Sequence, residues 1–188
     1  MTGGGAGRIP VGMARQAGDE AIGVLITALD GAFTGRGWQG TTLLGSLRGI
    51  GAEQALWSPR AGRHSVWALT LHAAYWKYGV RQQIVRADER FKRAPSNWPS
   101  VPSSLVGAEL ERAWKADVGL LKHEHAALVE AVRGLEPRLL GTIPAGLKTF
   151  TYAQRVAGAA AHDAYHTGQI QVLKREWAAR GSGRAGRS

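Results

Sequence analysis

The sequence predicts an all-α fold, a four-helix bundle with an additional short helix, and three observations carry that prediction. Apolar residues recur at helical spacing in four long stretches. No stretch shows the apolar–polar alternation of a half-buried strand. The stretches are joined by glycine- and proline-containing connectors of several residues, as in bundles. At 188 residues with 44% hydrophobic content, the chain is long enough to bury a sizeable core.

Residues 1–14, rich in glycine with Pro10 and few apolar anchors, are expected to be disordered, and residues 15–179 to form the bundle domain. Ile22, Leu25, Ile26 and Leu29 give the buried stripe of a first helix over 17–33, stopped by Gly31, Gly35 and Gly37. Leu43, Leu44 and Leu47 mark a short helix over 41–50, closed by Gly49-Ile50-Gly51, and 53–62 reads as a turn around Ser58-Pro59. Ser65 is a good N-cap for a long helix reaching Arg90. Residues 91–102, with Pro95, Pro99 and Pro102, make a loop too long for a tight turn. Such a loop crosses the end of a bundle or covers a site with Phe91 and Trp98, and ordinary packing of those rings is the simpler expectation. Ser103 or Ser104 caps a helix running to Arg133, whose stripe of Leu110, Ala113, Trp114, Leu120, Leu121, Leu128 and Val132 also carries Asp117. A connector with Pro137, Gly141, Pro144 and Gly146 leads to a last helix over 149–179. Gly181 ends that helix, and residues 180–188 read as a flexible basic tail.

The chain has 24 basic and 14 acidic residues and a net charge of +10. Arg8, Arg15, Arg180, Arg184 and Arg187, in the terminal segments, supply half of that excess. Arg60, Arg63, Arg81, Arg86, Arg90, Lys92 and Arg93 gather loosely at the two ends of the second long helix. This distribution reads as a solvated basic surface in preference to a nucleic-acid interface. With no cysteine, disulfides, thiolate ligands and a cysteine nucleophile are excluded. No run approaches the ~20 apolar residues of a membrane span and no signal-peptide core is present, so no membrane association and a cytoplasmic location are expected.

His162 and His166 stand four apart, so on a helix both rings lean over one spot on one face. A third ligand should come from a helix packed alongside, and His72 is the only other histidine in the middle of a mostly apolar helical run. His72, His162 and His166 are therefore the candidate ligands of one divalent metal ion, with coordination positions left open as in catalytic sites. Tyr75 and Trp76 share the face of His72, and Arg155, Tyr165 and Gln169 share that of His162. Gly158 would leave room for a ligand, Gln169 would orient it, and Arg155 would meet an anionic group. Asp117 is a candidate acceptor for a ligand imidazole, with a helix-surface role equally open. His123 and His125, about 200° apart on a helix, do not grip one ion together, and His64 lies about 12 Å from His72 along the axis. A zinc-protease reading fails, because Asp163 stands where the glutamate base should be and no histidine follows His166.

Two segments also carry a family resemblance. His64-Ser65-Val66-Trp67 with Leu71-His72-Ala73-Ala74-Tyr75-Trp76, and Ala161-His162-Asp163-Ala164-Tyr165-His166-Thr167-Gly168-Gln169-Ile170 with Leu173-Lys174-Arg175, resemble the signature segments of the DinB-like (DinB/YfiT) family of damage-inducible proteins. Gly37-Trp38-Gln39-Gly40 and Leu43-Leu44 fit as well, so the resemblance covers roughly residues 18 to 178. It implies a four-helix bundle of unusual connectivity, a homodimer, and a divalent metal on His72, His162 and His166. It also implies an activity, either a low-molecular-weight-thiol S-transferase or a metal-dependent hydrolase. The absence of a clear carboxylate base favours thiol chemistry, with zinc or nickel as the ion and a thiol as co-substrate. The alternatives are a non-catalytic metal-binding stress-response module and, behind it, a basic nucleic-acid-binding protein.

Overall fold

A computed structural model describes residues 11–35 and 37–185. Among them there is no strand, and six α-helices occur: α1 (Val11–Phe33), α2 (Leu43–Ser46), α3 (Ala52–Leu56), α4 (Val66–Val85), α5 (Gly107–Arg133) and α6 (Tyr152–Ala185). The four long ones close into a ring, in which α1 touches α5 and α6 while α4 touches the same two from the other side. Residues 1–10, most of the segment expected to be disordered, lie outside the described residues, but 11–14 already belong to α1.

Side-chain pairs set the directions of the helices. Trp67 meets Asp117 and Lys77 meets His125, so α4 and α5 run parallel. His72 meets His162 and His166 while Val80 lies by Ala159, so α4 and α6 run antiparallel. Asp30 meets His125 and Gly18 lies against Pro137, so α1 opposes α5. Parallel neighbours in sequence need a long crossover, and residues 86–106 provide it. They run back along α4: Glu89 binds Arg81, Phe91 packs on Tyr78 and Tyr75, Asn97 reaches Trp76 and His72, and Trp98 lies on His72 and His64.

This return path explains why α4 ends five residues before Arg90. Tyr78 Oη and Gln82 Nε2 both donate to the Glu89 carbonyl, at 2.9 and 3.2 Å, and Arg86 turns the chain with a φ of 49°. The crossover is therefore longer than the expected loop and lies along the bundle instead of across its end. Other boundaries also shift. The α5 N-cap is Val106, without a side-chain acceptor, and not Ser103 or Ser104. Residues 53–56, expected in a turn, belong to α3 (Ala52–Leu56), whose first N–H is held by Glu111 at 2.9 Å. Ser65 caps α4 as expected. Helix α6 continues through Gly181, since one glycine costs a helix only about 1 kcal/mol relative to alanine.

Two apolar clusters fill the bundle. One gathers Trp67, Leu71, Trp114, Leu121 and Ile170 with α2 and α3, and the other Ile22, Leu29, Leu128, Val132 and Val156. Between them, with one residue from each long helix, lies a polar group of Lys77, His125, Asp163 and Asp30. Lys77 is only 1% exposed and donates to Asp163 Oδ2 at 2.5 Å, while the other oxygen of Asp163 is buried without a partner. Alongside, buried Arg81 holds Glu124 with two donors. Burial pushes the Lys77 pKa down and that of Asp163 up, and their mutual attraction offsets part of each shift.

Removing one partner of such a pair leaves a buried charge uncompensated. Asp163→Ala should therefore lower the unfolding free energy by about 3–5 kcal/mol in urea titrations, and Lys77→Met should restore part of that loss in the double variant. The polar group also makes stability pH-dependent. Burial first, and then Lys77, lower the His125 pKa from 6.5 to about 4. A folded pKa below the unfolded one means that the stability from a neutral ring is complete above pH 6.5 and is lost as pH falls towards 4. The loss from this group should reach up to about 3 kcal/mol, and His125→Gln should flatten the slope of urea midpoints between pH 7 and 4.5.

Candidate metal centre

Three imidazoles from two antiparallel helices meet at the edge of the polar group. His162 and His166 stand one turn apart on α6, as their spacing requires, and His72 faces them from α4. His162 Nε2 lies 3.1 Å from His72 Nε2 and 3.0 Å from His166 Nε2. His72 and His166 are buried and His162 half-buried. Among the described residues this is the one group of three or more histidines and carboxylates whose ligand atoms come close enough to hold an ion.

The outer nitrogens decide what the inner ones present. His72 Nδ1 donates to the Asn97 carbonyl at 2.5 Å, and His166 Nδ1 to Gln169 Oε1 at 2.6 Å. A neutral imidazole carries one proton, so both of these rings point an Nε2 lone pair inward. A proton on His162 Nε2 serves at most one of its two contacts. Protonating the rings is opposed: burial, then the neighbouring His166 and His72, lower the His162 pKa to about 3, and burial lowers those of His72 and His166 as well. A cation is what such a group of lone pairs fits. For a tetrahedral ion with metal–nitrogen bonds of about 2.0–2.1 Å, the nitrogens would lie ~3.3 Å apart, close to the spacing here. Outer acceptors on ligand histidines are the usual companions of metal sites.

The other expected site residues divide. Trp76 stands at the rings, with its centroid 5.7 Å from that of His162, and its Nε1 donates to Asn97 Oδ1 at 2.8 Å. Gln169 acts on the His166 ring itself. Tyr165 is 64% exposed, with its ring centroid 5.1 Å from that of His166. Arg155 donates to the carbonyls of Phe150 and Thr149. Tyr75 packs with Phe91 and Tyr78 instead of facing the imidazoles. Asp117 does not serve a ligand imidazole, because it accepts from Trp67 Nε1 and Arg93 and is spent on joining α4, α5 and the crossover.

Sequence reasoning missed one participant, Asn97, and placed a second, Trp98, behind its simpler reading. Asn97 holds His72 with its carbonyl and Trp76 with its side chain. Trp98 stacks on His72 at 3.9 Å and, on its other side, on His64 at 3.4 Å, so the simpler expectation for this ring, ordinary packing, gives way to site cover. The proline-rich composition of the crossover was a signal for a covering segment and its tryptophan a candidate contact, but nothing in the sequence pointed to Asn97. Phe91, by contrast, is ordinary core.

A protein-family model described as the DinB superfamily matches residues 37–170, a span that includes all three histidines. No curated protein and no solved structure matches the chain. Among the described residues no helix is long and apolar enough to cross a membrane.

If Gln169 sets the His166 tautomer, its loss should weaken the ion while all three ligands remain. Gln169→Leu should reduce zinc affinity about 10- to 100-fold in competition with a chromophoric chelator, with little change in the far-UV circular dichroism spectrum.

Proposed function

Since this chain belongs to the DinB superfamily and aims three imidazoles at one point, we propose that it is a metal-dependent enzyme joining a low-molecular-weight thiol to a small electrophilic acceptor. The observation that carries this reading is the unfinished ligand set: three neutral nitrogens, no fourth protein ligand among the described residues, and His162 on the wall of a cavity of about 240 Å³. Structural zinc sites complete four protein ligands, whereas catalytic ones keep a position open. A divalent ion, with zinc or nickel suited to imidazole ligands, supplies Lewis acidity that lowers the pKa of a thiol or water brought to it.

The chain's own residues favour the thiol. Asp163, the carboxylate next to His162 in sequence, is buried against Lys77 and does not serve as a base for water. A thiol needs less help than water, since its free pKa is about 8.5. The cysteine-free chain brings no sulfur of its own, so the nucleophile is a co-substrate. In the reaction the thiol proton goes to solvent, sulfur forms a bond to the acceptor carbon, and the leaving group departs with the electron pair of the broken bond. Asn97, Gln169 and Trp98 keep two imidazoles oriented, and Trp76 and Phe150 line the cavity beside His162.

Zinc- or nickel-loaded protein should turn over thiol-plus-electrophile pairs, and His166→Ala should abolish that turnover. Ester hydrolysis that needs no thiol, or equal rates from the variant, would remove the reading in a parallel screen of both substrate types.

A further inference from the structure

The cavity beside His162 has walls of definite chemistry: Trp76, Val80 and Phe150 are apolar or aromatic, Gly158 is bare, and Arg155 brings one charge. Its volume of about 240 Å³ lies below the usual range for drug-sized ligands, which points to a small occupant. Two of its walls are held in ways that packing does not explain. Trp76 is 44% exposed, yet its indole is fixed by the same Asn97 that orients His72. Phe150 has a φ of 63°, in the left-handed region that side-chain-bearing residues rarely adopt, and the residue is 61% exposed. Burial therefore does not offset the strain.

Arg155 and the start of α6 hold the strained turn. Arg155 Nε and Nη2 donate to the Phe150 and Thr149 carbonyls at 3.1 and 2.5 Å. Thr151 and Gln154 form a reciprocal capping box at 2.8 and 3.3 Å. Two of the five guanidinium donors are so used, three remain, and among the described residues no carboxylate pairs with Arg155. Arg155 precedes His162 by seven residues, about 10 Å along the helix axis. Gly158 lies between them, and a Cβ added there would meet nothing within 4 Å.

We propose that this cavity is the acceptor site, and that it takes a small molecule with a flat apolar body lying against Trp76 and Phe150 and a single anionic end meeting Arg155. The proposal rests on the reading of the histidine cluster as the reacting centre. It adds the class of acceptor, an aryl or similarly flat monoanion whose reacting atom lies roughly a 10 Å span from its charge. The held Phe150 turn is the specificity element.

Calorimetric titration of the full chain with 4-phenylbutyrate and with its neutral analogue 4-phenylbutanol tests the site without turnover, in metal-free protein. The acid should bind saturably and about tenfold tighter than the alcohol, as a charge-assisted contact allows, and Arg155→Met should bring that ratio close to one. Gly158→Leu, whose Cβ meets nothing within 4 Å and whose side chain enters the cavity, should abolish binding of both probes without lowering the melting temperature, since leucine is a better helix former than glycine. Undiminished binding by a folded Gly158→Leu protein, or an acid-to-alcohol ratio that Arg155→Met does not move, would overturn the proposal. Because the readout is binding to the metal-free chain, a negative thiol-transfer screen with intact probe binding would count against the activity and not against the pocket.

Discussion

A single buried contact sets the geometry of the whole centre. Lys77 on α4 and Asp163 on α6 lie in the polar group between two apolar clusters, and their ion pair fixes how the two helices stand along one another. A slide of one turn, about 5.4 Å, would strand both charges in the core. Asp163 follows His162 directly, and Lys77 lies five residues after His72. The same register therefore brings the three Nε2 atoms together. Replacing such a pair by apolar side chains often costs little stability, so its presence here is better understood as specifying one alignment out of several that an apolar interface would accept.

The parallel arrangement of α4 and α5 is the second constraint. It obliges the chain to travel back along the bundle before α5 begins, and that journey delivers Asn97 and Trp98 to the histidines. Topology and chemistry are thus connected by chain length. A short connection would have made α5 antiparallel to α4 and left His72 without its acceptor and its stacking partner. Ion pairs fasten the return segment at two points: Glu89 to Arg81, and Arg93 to Asp117. Part of the basic charge at the end of α4 is consumed in this way and is not offered to a polyanion, since Arg81 is buried and also holds Glu124.

The arrangement around the imidazoles separates roles by depth. The outward nitrogens of His72 and His166 meet protein acceptors that decide the tautomer. Inward nitrogens face one another at a spacing a small cation fits. A cavity opens on the His162 side, where the start of α6 holds a strained turn. The ligand imidazoles and most of the cavity wall belong to α4 and α6, while the segments between helices supply Phe150 to that wall and Asn97 and Trp98 to His72, in keeping with the division of labour between scaffold and loops.

Much of this was legible in the residues alone. Helical periodicity located the four long helices, Ser65 announced its own cap, and the four-residue spacing of His162 and His166 placed their rings on one face, because these are properties of a local backbone repeat. His72 could be nominated as an isolated histidine in an apolar run. Where helices stopped was less legible: Arg90 and Gly181 were poor guides because α4 ends where the return segment captures it, and because one glycine is a weak helix breaker. Trp98 was legible only as one of two alternatives, and Asn97, the partnering of Asp117 and the turning-away of Tyr75 were not legible at all. Each depends on which helix lies beside which, and in what direction, and that is decided by the burial of Lys77, Asp163, Arg81 and Glu124 against groups distant in the chain. A periodic sequence states which face of a helix is buried. Only the packed structure states what that face meets, because the free energy of a buried polar group depends on its partner and not on its neighbours in sequence.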